Sequence, residues 1–446
     1  MKFASFTCYS FKNTQLLLGS VASVGARVTT VASMLVITAI AARMMTKEEF
    51  GLWTILVTFI YLSWALDLGF RYGMGNRLAA LVASAGGRST AEQRELYLSI
   101  FFFTFVVGIF LSLIYLTFET FLPWAGIFKI QQAEIVSDVH LLILIALISL
   151  FISIPFTLMG TGFFAFQEVN LSCFITAAQS ILLLILFWIT SLFFTFKWVI
   201  ICYFLAYLLT NVLSTVWFLM KREWPLVWIP LTSQYKHLKS VSSRSMEFFV
   251  QSSVGIFISN ISLFLASNVA GLSKAGDFSL VQKIFGLMIT VHLALLAPLA
   301  PLYTQKAHLN DWEFVRSKLS YCKRIIWPSL FIVGGGAIYL FHPIILYIWA
   351  GRDLSDYTLA GFIALQAILS GWINTQSVLL NSLGLVKWQA IAFVVQAPIF
   401  IFLPLYFGKY WGITGVALGT LLCMIPGAFI WPLYANYSLR LRLLKV

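Results

Sequence analysis

Residues 325–349 read Ile-Ile-Trp-Pro-Ser-Leu-Phe-Ile-Val-Gly-Gly-Gly-Ala-Ile-Tyr-Leu-Phe-His-Pro-Ile-Ile-Leu-Tyr-Ile-Trp, an unbroken run without Asp, Glu, Lys or Arg. About 20 mostly apolar residues suffice to cross a hydrocarbon core as a helix, so this stretch is a membrane span. Carried outward in both directions, the same ruler finds eleven more. The first lies near Leu16–Ala42, the second near Phe50–Leu81, the seventh near Ser245–Gly271 and the eighth near Ala275–Tyr303. The last two fall near Gln389–Phe407 and Gly412–Tyr434. No strand-length stretch alternates apolar and polar residues, which argues against a transmembrane β-barrel. The expectation is an all-α polytopic membrane protein with twelve transmembrane helices.

Composition agrees. The 446 residues are 60% hydrophobic and 10% charged, with 41 Phe and 15 Trp, whereas soluble domains run about 45–50% apolar and about 25% charged. A soluble metabolic enzyme, a disordered chain and a secreted disulfide scaffold are thereby excluded. The net charge of +13 would suggest nucleic acid in a soluble domain. Here it follows from the retention of Lys and Arg on the cytoplasmic side of the membrane, and no nucleic-acid partner is expected. With the N-terminus inside, 20 of the 29 basic residues fall in cytoplasmic segments and 7 in outer ones, with Arg27 and Lys283 left in spans. Both termini are therefore expected in the cytoplasm. The inner turn near Gln167–Asn170 fits this least well, since its one charge is Glu168. The first twenty residues show no cleavage site of a signal peptide. The five cysteines lie too far apart for a local metal or redox motif, and no cofactor or metal is expected.

The chain divides near its midpoint. Residues 221–244 form the longest cytoplasmic connection, with Trp224, Trp228, Pro225, Pro230 and five basic residues, and have the look of an interfacial linker. It separates an N-terminal six-helix half, residues 1–220, from a C-terminal half, residues 245–446. Phe50-Gly51-Leu52-Trp53-Thr54 enters the second span much as Ala275-Gly276-Asp277-Phe278-Ser279 enters the eighth. Gln179 has a counterpart in Gln396. Duplicated halves of this kind place a substrate site between them near the midplane, so two pseudo-symmetric halves around a central cavity are expected.

Ionisable groups inside spans cost roughly 2.5–3.5 kcal/mol on insertion scales and tend to mark a transport path. Ser20, Ser23, Arg27, Thr30, Met34 and Thr38 share one face of the first helix, a polar stripe that suits a wet cavity better than a snorkelling arginine. The seventh carries Glu247, Gln251, Gly255, Ser259 and Ser262 along one face, which suits either a cavity or close small-residue packing. Ser279, Lys283, Gly286 and Thr290 align on the eighth, while His292 falls on the opposite face and reads as a packing residue. Asp67 and Arg71 stand at i, i+4 and should pair. No metalloprotease motif, phosphate loop or hydrolase triad appears, so the chain does not read as an enzyme. An integral-membrane polysaccharide polymerase is the nearest enzymatic alternative. It would need a substantial outer loop with Arg or His, and the longest here, Glu119–Val139, holds only Lys129. No repeated filter-like loop marks a channel.

The order of motifs carries a family likeness. The Arg-bearing first helix is followed by Met44-Met45-Thr46-Lys47-Glu48-Glu49-Phe50-Gly51-Leu52-Trp53. Asp67-Leu68-Gly69-Phe70 comes next, with Arg71 and Arg77, and Tyr410-Trp411-Gly412-Ile413-Thr414-Gly415-Val416-Ala417 precedes the last helix. Met44-Met45 stands where Leu-Gly is usual. This pattern resembles the polysaccharide transporters, specifically the O-antigen (Wzx-type) flippases, of the multidrug/oligosaccharidyl-lipid/polysaccharide (MOP) exporter superfamily. The resemblance implies an inner-membrane flippase that moves a polyprenyl-pyrophosphate-linked oligosaccharide from the cytoplasmic to the periplasmic leaflet by alternating access. Arg27 and Lys283 would accept the anionic diphosphate, with Gln251, Ser23, Thr30 and Ser259 on the sugar. Asp67, Arg71 and Glu247 would be the candidates for ion coupling or gating. A proton or sodium ion is the candidate coupling ion, and membrane lipid and polysaccharide-assembly proteins are the candidate partners. Lipid II flippases and multidrug antiporters share the superfamily. The former usually carry two further spans, and this chain ends twelve residues after its twelfth.

Overall fold

In the computed structural model every regular element among the described residues is a helix. The backbone is described for residues 3–63, 66–86, 88–385 and 387–443, and the side chains for the same residues apart from 3–23, 62, 63, 72, 243–248, 251, 252, 301 and 308. In chain order the α-helices are α1 (Phe3–Met44), α2 (Lys47–Ser63), α3 (Phe70–Ser84), α4 (Ala91–Phe118), α5 (Trp124–Ile127), α6 (Ala133–Ser153), α7 (Leu158–Ala165) and α8 (Val169–Phe193). They continue as α9 (Phe196–Lys221), α10 (Leu231–Leu296), α11 (Leu299–His308), α12 (Trp312–Tyr321), α13 (Gly335–Ala350), α14 (Tyr357–Ser382), α15 (Lys387–Gln396) and α16 (Ile399–Leu443). Among the described residues nine helical stretches are long and apolar enough to cross a membrane. Large side chains such as Ile181, Ile185, Trp188 and Leu192 project outward along α8, as a lipid-facing surface requires. This is a multi-pass membrane protein.

Nine is fewer than the twelve spans expected, and the difference has local causes. Two of the stretches each contain a break. Gly271 in α10 adopts φ 83°, ψ 171°, a conformation essentially reserved for glycine, and joins two spans in one run of 66 residues. Trp411 and Gly412 (φ 59°, ψ −139°) do the same in α16. The span expected over Phe50–Leu81 is divided into α2, of 17 residues, and α3. Leu68 (φ 54°) and Gly69 (φ 74°) are consecutive left-handed residues between them, and the Asp67 carboxylate accepts the Gly69 N–H at 2.8 Å. Separating the two merged runs and counting α2 accounts for the missing spans. Residues 322–334 are wound mostly as π-helix around Pro328, where the missing N–H frees a carbonyl of the preceding turn.

Two compact units are present. The first comprises Met1–Met44, Leu56–Trp124 and Ala133–Ser253; the second comprises Met45–Ile55, Ala125–Gln132 and Val254–Val446. In the first unit an aromatic core joins α4, α7 and α9 with the connection that follows. Trp224 is 4% exposed, lies 5.7 Å from the rings of Tyr97 and Phe218, and donates its indole N–H to Ser89 Oγ at 2.6 Å. The stretch expected as a linker is thus packed down through its first tryptophan and becomes helical from Leu231. Glu168, the acidic residue of the turn after α7, pairs with Lys221 at 3.0 Å and with Arg222. That turn and the basic connection therefore share one side of the unit.

In the second unit close approach is made at glycines. A Cβ on Gly51 would stand 2.0 Å from the Leu272 carbonyl oxygen, and one on Gly276 would stand 2.9 Å from the Phe50 ring. These are the two glycines that the sequence repeat relates, and they lie against each other. Glu48 accepts the backbone N–H groups of Gln131 and Gln132 at 3.2 and 2.9 Å, while Lys129 donates to the Val269 carbonyl at 2.6 Å and Asn268 to that of Ile127 at 3.2 Å. A second core gathers Tyr303, Trp312, Val315, Leu379 and Trp431.

Candidate functional site

The polar stripe of α1 is turned toward its own unit. Thr30 Oγ1 lies 3.0 Å from Ser180 Oγ on α8, Tyr61 donates to Met34 Sδ at 3.3 Å, and Thr38 is buried with its hydroxyl on the Met34 carbonyl. Polar residues on a membrane helix are thereby hydrogen-bonded within protein, as an apolar medium demands. Arg27 differs. It is exposed, and among the described residues no ion pair or hydrogen bond is made to it. Its guanidinium is the strong set of donors on the polar stripe of this helix.

Lys283, on α10, is half-buried and has an interaction partner within the protein. Ser259 is exposed and donates to the Gly255 carbonyl at 2.9 Å, leaving its oxygen lone pairs available. Ser23, Glu247 and Gln251 have side chains outside the described residues. His292 is fully buried, with Nε2 3.0 Å from Thr375 Oγ1 and its ring edge-on to Phe331.

Asp67 and Arg71 are brought together. Arg71 Nε lies 3.1 Å from Asp67 Oδ2, and Arg71 Nη2 donates to Thr157 Oγ1 at 2.7 Å. Asp67 is 2% exposed. Buried charges persist when paired and hydrogen-bonded, and this carboxylate has both the guanidinium and the Gly69 amide. Beside the pair lies a cavity of about 480 Å³ between α3 and α7. Arg71, Gly75 and Ala79 line it from α3, together with Asn76; Thr157, Gly160, Thr161 and Phe164 line it from the other side. The sequence reading had Arg71 but none of the others. The signal was present: Arg71, Gly75 and Ala79 recur at i, i+4, and Thr157, Gly160, Thr161 and Phe164 at i, i+3, i+4, i+7. Gly75 lets the two walls approach closely, since a Cβ there would stand 2.6 Å from Thr161 Cγ2.

No protein-family model matches the chain. Two curated relatives, each named "Putative O-antigen transporter", are similar to part of it. The one from Salmonella typhimurium is 25% identical over 207 residues, 46% of this chain and 47% of the relative. The one from Salmonella typhi is 28% identical over 212 residues, 45% and 47%. The matched region spans about half the length of each relative. Solved structures match nearly end to end. An inward-facing multidrug resistance MATE family transporter of the MOP superfamily superposes with a TM-score of 0.73 at 13% identity, over 95% of this chain and 98% of the other. A MOP superfamily transporter from Pyrococcus furiosus gives 0.65 at 15%, over 95% and 96%. A MATE transporter from Vibrio cholerae gives 0.65 at 13%, over 97% and 98%. The chain has the fold of the MATE transporters of the MOP superfamily, and its sequence is similar to proteins named as O-antigen transporters.

Proposed function

We propose that the protein is a flippase of the bacterial inner membrane that carries a polyprenyl-pyrophosphate-linked oligosaccharide from the cytoplasmic to the periplasmic leaflet by alternating access. The observation that carries this reading is the pairing of a MOP transporter fold over the whole chain with similarity to O-antigen transporters over nearly half of it. The residues fit the cargo. A diphosphate is an anion, and Arg27 is an exposed guanidinium with no ion-pair partner among the described residues. Guanidinium matches phosphate geometry with two parallel donors, and Lys283 supplies the second cation. Thr30, Ser23, Gln251 and Ser259 would meet sugar hydroxyls. Asp67, whose Oδ1 takes the Gly69 amide and whose Oδ2 lies 3.1 Å from Arg71 Nε, Arg71 itself and Glu247 are the candidates for gating or for coupling to a proton or sodium ion.

Deletion of the gene tests the reading. Lipid-linked oligosaccharide should still be made and should build up on the cytoplasmic leaflet, protected from a periplasmic glycosidase. Single repeat units reaching the cell surface would mark a polymerase instead. Unchanged lipid-linked sugar together with new sensitivity to cationic drugs would mark a multidrug exporter.

A further inference from the structure

The cavity between α3 and α7 lies wholly inside the first unit, and its lining combines small apolar residues with Arg71, Asn76, Thr157, Thr161 and the ring of Phe164. Its volume of about 480 Å³ falls within the roughly 300–1,000 Å³ of ordinary ligand pockets. Phe164 is 53% exposed and presents a ring to it, and Asn76 is exposed on the facing wall. Thr157, already accepting from Arg71, and Thr161 add hydroxyls. We propose that this cavity is a sugar subsite, which takes a neutral sugar ring with Phe164 beneath its apolar face and with Asn76, Thr161 and Arg71 on its hydroxyls.

The chemistry selects a sugar over an anion. Arg71 is matched by the Asp67 carboxylate at 3.1 Å, so the wall offers directional donors without surplus positive charge. A phosphate here would meet Asp67 as a like charge. Sugar hydroxyls, which both donate and accept, suit a wall of paired guanidinium, carboxamide and hydroxyl. The C–H bonds along the flat face of a pyranose ring are weakly electropositive and match the negative face of an aromatic ring. Position matters as well. Phe164 stands one turn before the Glu168 turn, which is held by Lys221 and Arg222. The cavity is thus near the basic end of the unit, the end expected to face the cytoplasm, where a newly made glycolipid arrives. The choice of sugar as ligand rests on the flippase reading; the shape and lining do not.

The test uses the full-length protein in lipid nanodiscs and the variants Phe164→Ala and Asn76→Ala, both at exposed positions that tolerate truncation. Three probes are compared: lipid-linked oligosaccharide extracted from deletion cells, bare polyprenyl pyrophosphate, and the oligosaccharide freed from its lipid by mild acid, followed by saturation-transfer NMR. Each variant should weaken the lipid-linked oligosaccharide by about tenfold, as expected for loss of one aromatic or bidentate contact, and should leave bare polyprenyl pyrophosphate unchanged. The free oligosaccharide should show saturation transfer with the wild type and lose it with either variant. If the variants weaken both lipids equally, the cavity holds a lipid head group and the subsite is wrong. If they change neither lipid and leave the free sugar signal intact, it is also wrong. Wild type that ignores both lipids yet binds the free sugar through Phe164 and Asn76 would keep the subsite and overturn the flippase reading.

Discussion

Arg27 and Lys283 are the two cations that the sequence places within spans, each on a stripe of small and hydroxyl-bearing residues, and Lys283 has an interaction partner within the protein. A cation at that depth costs roughly 2.5–3.5 kcal/mol on insertion scales and persists where a partner offsets it. Arg27→Ala and Lys283→Ala are each expected to abolish or sharply reduce export of the glycolipid at wild-type levels of membrane protein, read as accumulated lipid-linked sugar. Arg27→Lys should restore only part of it, since a point charge does not reproduce the two-pronged contact of guanidinium. Normal export by both alanine variants would mean that the cations only reach toward a membrane surface. His292 answers a different need. With Nε2 on Thr375 and no exposure, it is a piece of the second unit's interior, as its place opposite Lys283 on the helix already suggested.

At the scale of single helices, apolar length and the two long-run breaks were legible in the sequence, and the division of the second span was not. The spans read from hydropathy already part at Gly271 and at Gly412, where the backbone breaks, whereas the left-handed pair Leu68–Gly69 is a matter of φ that a hydropathy ruler does not register. The α3–α7 cavity is not legible in the sequence because its walls are distant in the chain and meet at a close approach, where a Cβ on Gly75 would stand 2.6 Å from Thr161 Cγ2. Charge at Asp67 and Arg71 was visible at once; that Thr157 completes the pair depends on a helix 86 positions away. Helix contacts are set by small residues here. A Cβ at Gly419 would lie 2.4 Å from Pro404 Cα, and backbone cannot yield as a side chain does. Gly419→Ala should therefore cost at least the roughly 1–3 kcal/mol of an overpacked core, seen as a lower melting temperature and a broadened size-exclusion peak in detergent. Gly336→Ala, whose added methyl meets nothing within 4 Å, should leave both unchanged. Equal behaviour of the two would show that the α16 contact is not tight.

For the molecule as a whole, the distribution of basic residues sets the expected orientation. The pairing of Glu168 with Lys221 and Arg222 ties the one poorly charged inner turn to the same side as the longest basic connection. A cysteine at Tyr235, which is exposed, in a background without the five native cysteines, should be labelled by an impermeant reagent from the cytoplasmic side of inverted vesicles and not from intact spheroplasts. The reverse would invert the topology. The composition of the second unit bears on inheritance. That unit takes in Met45–Ile55 and Ala125–Gln132 from early in the chain, and it seats Gly51 on the Leu272 backbone and Glu48 on the 131–132 amides. A gene crossover near the midpoint would give a chimaera whose late helices came from one parent and two of whose fitted pieces came from the other. Recombination between such transporter genes should accordingly favour exchanges that carry codons 45–55 and 125–132 along with the distal half, and viable hybrids should be rare among those that do not.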